Sequence, residues 1–506
     1  MPLLLILLAF LLIAARYASA IELWGDEAFS LLCAGRDWHQ MFQSCDAHFP
    51  TYYDLQLRPM LWALSSPLSA AKSDLALRML HVPVFAIGLG FCWLIGREQL
   101  RNRGLLIGLM VSIILLPNYI FYAVNIRMYA LLFSCSMAFA WACFRLLVPG
   151  RVPLKSKVLY ALTGLSVSLV DYPGLFLFVI TTLFLLVIHV LAGLSRRGRL
   201  VLSCFAVSLL VASGVFLRDQ LQGVMQWPGF ASMALVDGDL KSLLKFVFFA
   251  IRPFLDLIYP PASPLFLNVL LWLLIGLALV WSLTSLIRQG GKTNYLIVFF
   301  STYWLILSPV GLAFTRVALP AQFFAMLSIV LAVEKSLSLR RSWIAFGLTL
   351  GLLSIGAFNL WEAVFPTLRL YSRIPYQQIA HDALASARQG KIDLIVISRH
   401  TLNALSVDRY LRPAADSEIE VMLADPRPKC GSFPGKRFVY VQLMPEDGEA
   451  SDPVEACKDI RKVEIQNIKN YVAFESLGYN RLWIGSLADK AGSSSFAARL
   501  LNVDIQ

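Results

Sequence analysis

The chain has 506 residues, 58% of them hydrophobic and 15% charged, with a formal charge of +12 and a mean hydropathy of +0.66. That balance excludes an ordinary soluble globular protein. It also excludes a nucleic-acid-binding reading, which needs a basic face on a soluble domain, because the arginines and lysines here fall in short clusters between apolar runs.

The first apolar segment, 1–20, ends in Ala18-Ser19-Ala20, a small-residue pattern that suits cleavage. No Lys or Arg precedes Arg16, however, so a retained helix is favoured over a signal peptide. The stretch LWGDEAFSLLCAG follows from Leu23 and sets Asp26 beside Glu27. Two carboxylates at this point suit a helix N-terminus on dipole grounds alone, a gain below about 1 kcal/mol each. One of them equally suits proton transfer at a membrane surface.

Residues 28–42 space Phe29, Leu32, Trp38, Met41 and Phe42 as a helix lying on the bilayer surface would. In CDAHFPTYYDLQLRPMLWAL, Asp46 and His48 precede Pro50, where a second interfacial helix begins. That helix mixes Tyr52, Tyr53, Leu57, Leu61 and Trp62 with Asp54 and Arg58.

Apolar runs near bilayer length then recur. With the first they number about eleven: 1–20, 79–96, 104–121, 128–148, 157–171, 174–193, 200–217, 265–287, 295–314, 317–334 and 343–361. Basic clusters follow alternate spans: Arg97, Arg101 and Arg103; Arg145, Arg151, Lys155 and Lys157; Arg196, Arg197 and Arg199; Arg288 and Lys292; Lys335, Arg340 and Arg341. All fall on one side, which the positive-inside rule makes cytoplasmic. The segments 21–78, 218–264 and 362–506 are then outside, with FVFFAIRPFLDLI at 246–258 interfacial or re-entrant. The fold class is a polytopic α-helical membrane protein over 1–361 with a soluble α/β domain over 362–506.

In that tail, 376–390 reads as an amphipathic helix and DLIVIS at 393–398 as a strand. Further strands are expected at 418–423, 436–443 and 480–487, and a helix near 453–462. The tail caps the membrane part, guides an acceptor or is a passive lid. Cys33 with Cys45 and Cys430 with Cys457 lie in the outer segments, where an oxidising exterior favours two local disulfides. Cys92, Cys135, Cys143 and Cys204 read as packing residues inside spans.

WGDEAFSLL followed by DAHFPTYYDLQL resembles the first external loop of the GT-C glycosyltransferases, which include protein O-mannosyltransferases and lipid A aminoarabinose transferases. SDLALRMLHVPVFAIGLGFCWLIGREQL resembles their second span, NIRMYALL at 125–132 their Arg-x-Tyr-Ala-Leu helix start, and DYPGLFLF and FTRVALPAQFF two of their outer turns. The matches run in the family's order through residues 22–334. Phe49, Thr51 and Asp171 depart from the family pattern, which leaves metal use and substrate choice open.

The resemblance implies transfer of a sugar from a polyprenyl (undecaprenyl) phosphate donor to a glycan, lipid or protein acceptor on the outer face of a bacterial inner membrane. It implies envelope glycan or lipopolysaccharide modification, with the C-terminal domain periplasmic. It assigns Asp26 as general base, with Glu27 the second catalytic candidate, which tunes Asp26 electrostatically or simply begins the surface helix. Asp46, His48, Tyr53, Arg58, Arg127, Tyr129 and Arg316 are the substrate-binding candidates, Arg127 and Arg316 for the leaving phosphate. Asp46 and His48 are also candidate ligands for a divalent cation, although two ligands are too few to specify one. The residues alone also allow plainer roles: a structural turn at Asp46 and His48, arginines snorkelling to lipid headgroups, and Tyr129 in an aromatic belt. A lipid-glycan flippase is the competing class, and a polysaccharide polymerase or ligase the third. Ionisable residues gathered at the outer boundary, with no internal repeat, favour the transferase.

Overall fold

The structure is a computed structural model, and it describes residues 1–19, 21, 23, 25–37, 52–64, 70–147, 153–191, 265–303, 318–338, 376–392, 394–398, 403–415, 418–424, 437–445, 460–471 and 496–505. Asp46, His48, Arg316, Cys45, Cys204, Cys430, Cys457, the 246–258 segment, the spans at 200–217 and 343–361 and the strand at 480–487 lie outside these residues. The chain divides into two compact units. One takes Met1–Tyr17, Arg36–Met60 and Arg78–Phe365; the other takes Ala18–Gly35, Leu61–Leu77 and Pro366–Gln506.

The described helices are α1 (Pro2–Ala18), α2 (Gly25–Ala34), α3 (Arg58–Ala63), α4 (Ala70–Gln99), α5 (Arg103–Ile114), α6 (Pro117–Val124), α7 (Tyr129–Leu146), α8 (Leu154–Ser168), α9 (Tyr172–Leu191), α10 (Leu265–Gln289), α11 (Lys292–Thr302), α12 (Leu319–Ser338), α13 (Tyr376–Gly390) and α14 (Asn403–Leu411). Ser73–Gln99, Tyr129–Leu146 and Leu319–Leu337 are long and apolar enough to cross a bilayer, and Pro2–Ala18 and Pro173–Ile188 are shorter apolar helices. The apolar run 104–121, which reads as one span, is two helices bent by 61°. The cause is local: Leu116 is extended at φ −67°, ψ 129°, as a residue before proline prefers, and Pro117 opens α6.

One end of the membrane unit gathers its basic exits. The Glu334 carboxylate near the end of α12 accepts from the backbone N–H groups of Arg101 and Asn102, at 2.9 and 2.6 Å. Glu98 at the end of α4 takes the Arg145 guanidinium at 2.7 Å and the Trp141 indole N–H at 3.3 Å, both from the last turns of α7. Three clusters, those containing Arg101, Arg145 and Lys335, therefore share one end. The start of α7, where Arg127 lies, is at the other.

Between these ends the helices are held by close approach, since apolar burial alone does not drive association in lipid. Ser134 of α7 donates to the Val84 carbonyl of α4 and accepts from the Gly88 N–H at 3.1 Å. A Cβ on Gly88 would stand 2.6 Å from the Phe133 ring. Stacked rings tie the later helices: Phe184 to Phe299 at 4.2 Å, and Phe300 to Phe324 at 4.8 Å.

Gly174 is the tightest contact. A Cβ there would meet the Val167 carbonyl oxygen at 2.1 Å, a backbone atom at the end of α8 that cannot swing away. Gly174→Ala is expected to cost about 1–3 kcal/mol or more and to lower the unfolding temperature in detergent. Gly90→Ala, where a Cβ meets nothing within 4 Å, is expected to leave it unchanged.

The second unit contains a five-stranded sheet of β1 (Leu394–Ser398), β2 (Glu420–Ala424), β3 (Arg437–Pro445), β4 (Ile460–Tyr471) and β5 (Phe496–Ile505), in the order β2-β1-β3-β5-β4. β1 is parallel to β2 and β3, while β5 is antiparallel to β3 and β4. β1 is central to the parallel part and reads as a continuous apolar run because both faces are covered: Leu394, Ile395, Val396 and Ile397 are all buried. α13 lays Tyr376, Ile379, Ala380, Ala383, Leu384 and Ala387 on this core at helical spacing. The helix expected near 453–462 is corrected at its end: residues 460–462 belong to β4, paired with β5 far along the chain.

Candidate active site

The segment after α1 separates its two acids. Both Asp26 and Glu27 lie in the first turn of α2, but Glu27 is fully buried and Asp26 is half-buried. Ser30, one turn on, donates its hydroxyl to the Asp26 carbonyl at 3.1 Å. Cys33, on the same helix, is disulfide-bonded.

In the membrane unit, Tyr53–Leu57 is a single π-helical turn leading into α3, a distortion that concentrates at functional sites. It buries Tyr53, Gln56 and Leu57 and exposes Leu55. Arg58 is engaged within the loop: it donates to Asp54 at 2.5 Å and to the Arg36 carbonyl. Tyr52 is buried; its hydroxyl is 3.1 Å from His81 Nε2, and its ring is tilted on Tyr53 at 5.4 Å. His81 and Arg78, three residues earlier, are both buried side chains of α4.

One turn below His81, Phe85 stacks on Phe133 at 4.4 Å and meets Tyr119 edge-on at 5.7 Å. This aromatic plate joins α4, α6 and α7 beneath the polar groups. Tyr119 donates to the Leu319 carbonyl at 2.6 Å and so fixes the start of α12 to α6.

Above Phe133 the chain crosses from α6 to α7 through Asn125–Met128. Arg127 is 5% exposed, its N–H donates to the Asn125 carbonyl at 2.8 Å, and its guanidinium lies 5.9 Å from the Tyr129 ring centroid. Tyr122 packs edge-on to Tyr129 at 5.0 Å. An arginine snorkelling to lipid headgroups keeps its charged head exposed; this one is enclosed. Asp171, before α9, is also buried.

Asn125 was not visible as a site residue in sequence. It is 0% exposed, and among the described residues neither amide atom of its side chain meets a hydrogen-bond partner. Gln56 on the π-turn is in the same condition at 4% exposed. Buried amides without partners cost about 1–3 kcal/mol each, so each calls for a partner such as a water or a ligand. The only sequence signal was a polar pair interrupting FYAVNIRMYA. Asn125→Leu is expected to hold or raise the unfolding temperature of the ligand-free protein, because it removes an unsatisfied amide. Tyr119→Phe, which loses a made hydrogen bond, is expected to lower stability by about 1 kcal/mol.

Among the described residues, no group of three His, Cys, Asp or Glu side chains is placed to hold a metal ion. The candidate cation ligands Asp46 and His48 are outside those residues, and nothing below depends on them.

No protein-family model and no curated protein sequence matches the chain. Solved structures do match. ArnT from Cupriavidus metallidurans, bound to undecaprenyl phosphate, aligns over 98% of this chain and 97% of its own at 11% identity and a TM-score of 0.52. The same protein in the apo state aligns over the same shares at 12% identity and a TM-score of 0.52. The archaeal oligosaccharyltransferase AglB from Archaeoglobus fulgidus, in complex with an inhibitory peptide and a dolichol-phosphate, matches more loosely, over 80% of this chain and 63% of its own, at 12% identity and a TM-score of 0.44. The chain thus shares its fold, along nearly its whole length, with the GT-C membrane glycosyltransferases that its outer-loop motifs resemble.

Proposed function

We propose that the chain is an integral-membrane glycosyltransferase that moves a sugar, with inversion, from a polyprenyl-phosphate donor to a glycan, lipid or protein acceptor on the extracytoplasmic face of a bacterial plasma membrane. The observation that carries this reading is Arg127. It is a guanidinium enclosed at the end of the membrane unit opposite the basic exits, next to an asparagine whose amide is unspent. A flippase would need ionisable groups near mid-membrane; the described polar groups that support an enzyme lie at a helix end instead. The undecaprenyl phosphate bound to the ArnT fold neighbour supports the lipid class of the donor.

In this reading an acceptor hydroxyl attacks the anomeric carbon while Asp26 takes its proton. The new carbon–oxygen bond forms as the bond from that carbon to the phosphate oxygen breaks, and a single displacement inverts the centre. The departing polyprenyl phosphate gains negative charge, which Arg127, and Arg316 with it, stabilises. Tyr129 orients the headgroup beside Arg127, and Asn125 receives a sugar hydroxyl or phosphate oxygen in its empty amide. Half-exposure suits Asp26 to the base role, whereas buried Glu27 suits a structural one. Asp46, His48 and Tyr53 remain acceptor-side candidates, with a divalent cation at Asp46 and His48 the metal option.

The test is direct. Purified protein in lipid nanodiscs is given polyprenyl-phosphate sugar labelled in the sugar, with a deproteinated envelope extract as acceptor. The label should leave the organic phase as free polyprenyl phosphate appears in equal amount. Transbilayer movement of intact donor in liposomes, without cleavage, would make the protein a flippase.

A further inference from the structure

Within the second unit, helix α14 has two working faces. Val407 and Leu411, a turn apart, are fully buried in the sheet core. Arg409 and Tyr410 lie between them in sequence and point to other partners. The backbone N–H of Leu23 donates to the Tyr410 hydroxyl at 3.2 Å, and Leu23 is itself fully buried. Arg409 donates through both Nε and Nη2 to one oxygen of Asp74, at 2.9 and 2.5 Å, and Asp74 is 4% exposed. α2, the helix carrying Asp26, packs directly on α14.

We infer that α14 is a positioning element for the acid-bearing segment: Tyr410 holds the backbone at Leu23, three residues before Asp26, and Arg409 holds the first turns of α4 through Asp74. The C-terminal region is then no passive lid. Its sheet is the rigid body against which the outer segment is set, and a shift of α14 moves the carboxylate of residue 26 with it. The geometry favours this over incidental contact. A surface ion pair is worth little, but here the carboxylate is buried and the hydroxyl accepts a main-chain donor that has left water. A base displaced by an ångström loses most of its effect while substrate binding elsewhere persists. The catalytic part of this inference rests on the proposed role of Asp26; the tether itself does not.

The experiment uses full-length protein in nanodiscs and the variant Tyr410→Phe, which removes one oxygen and keeps the ring. Hydrogen–deuterium exchange should accelerate about tenfold in peptides covering residues 23–34, the loss of one hydrogen bond, with β1 unchanged. The transfer kcat should fall about tenfold with the donor KM unchanged. Arg409→Lys should keep most of the protection in residues 70–77, and Arg409→Gln should lose it. Unchanged exchange over 23–34 in Tyr410→Phe overturns the tether, and a rise in KM with kcat intact overturns the positioning role. Accelerated exchange in Tyr410→Phe together with normal transfer by Asp26→Asn sustains the tether and removes the base, so the two readings fail separately.

Discussion

Asp26→Asn is expected to lower sugar transfer by about 10²–10⁴-fold, the range a positioned general base supplies, or about 2.7–5.5 kcal/mol of barrier. The substitution is nearly isosteric and removes the negative charge together with the capacity to accept a proton. Asp26 is half-buried in the first turn of α2, where a carboxylate's dipole contribution to the folded state is about 1 kcal/mol. Expression and unfolding temperature should stay near wild type. Glu27→Gln is the paired control and should behave in the opposite way. Glu27 is fully enclosed, so the change should show mainly as lost stability, about 1–3 kcal/mol, with turnover per folded molecule largely kept. Transfer from labelled lipid-linked donor, normalised to folded protein, separates the two. Near-normal transfer by Asp26→Asn removes the base assignment.

Arg127→Gln is expected to cost about 10²–10³-fold in kcat, as loss of one charge-stabilising donor does elsewhere. The phosphate gains charge as the sugar departs, so the deficit should fall on kcat more than on donor KM. Arg127→Lys should be intermediate: it keeps the charge but loses the planar fork that grips two phosphate oxygens. The side chain is 5% exposed, so both variants need an unfolding measurement alongside the kinetics. A fall in unfolding temperature with turnover per folded molecule intact would make Arg127 a packing residue.

Most helix positions were legible because apolar periodicity at bilayer length is a strong signal. The runs at 128–148 and 317–334 became α7 and α12 within a few residues. The break at Leu116 was hidden, because 104–121 stays apolar across Pro117 and composition does not register a bend. The 79–96 run understated α4, which begins at Ala70. Arg78 and His81, at the edge of that run, are therefore buried side chains inside a long helix rather than residues at a span's entrance. In the tail, the amphipathic stretch YQQIAHDALASARQG marked α13, and the compact apolar run at DLIVIS marked β1. β4 was missed since IRKVEIQNIKNY is polar at many positions and takes its form from pairing with β5.

The candidate site was legible in its charged members and silent in its neutral ones. Asp26 and Arg127 stand out in sequence because a charge beside an apolar span is costly and calls for a reason. Asn125 and Gln56 carry no such cost on the page of a sequence; burial without partners is what distinguishes them. Nor did the sequence foretell that Glu98 and Glu334 would tie the basic exits of several spans together.

The account turns on which side of the membrane residue 26 meets water. Asp26→Cys and Arg101→Cys, each expressed in intact cells, can be probed with a membrane-impermeant thiol reagent. Cys92 and Cys143 are buried, and the Cys33 sulfur is already bonded, so the unsubstituted protein gives the background. Labelling at 26 from outside, with 101 reached only after the membrane is opened, is the predicted result. Protection at 26 with ready labelling at 101 in intact cells would contradict the account.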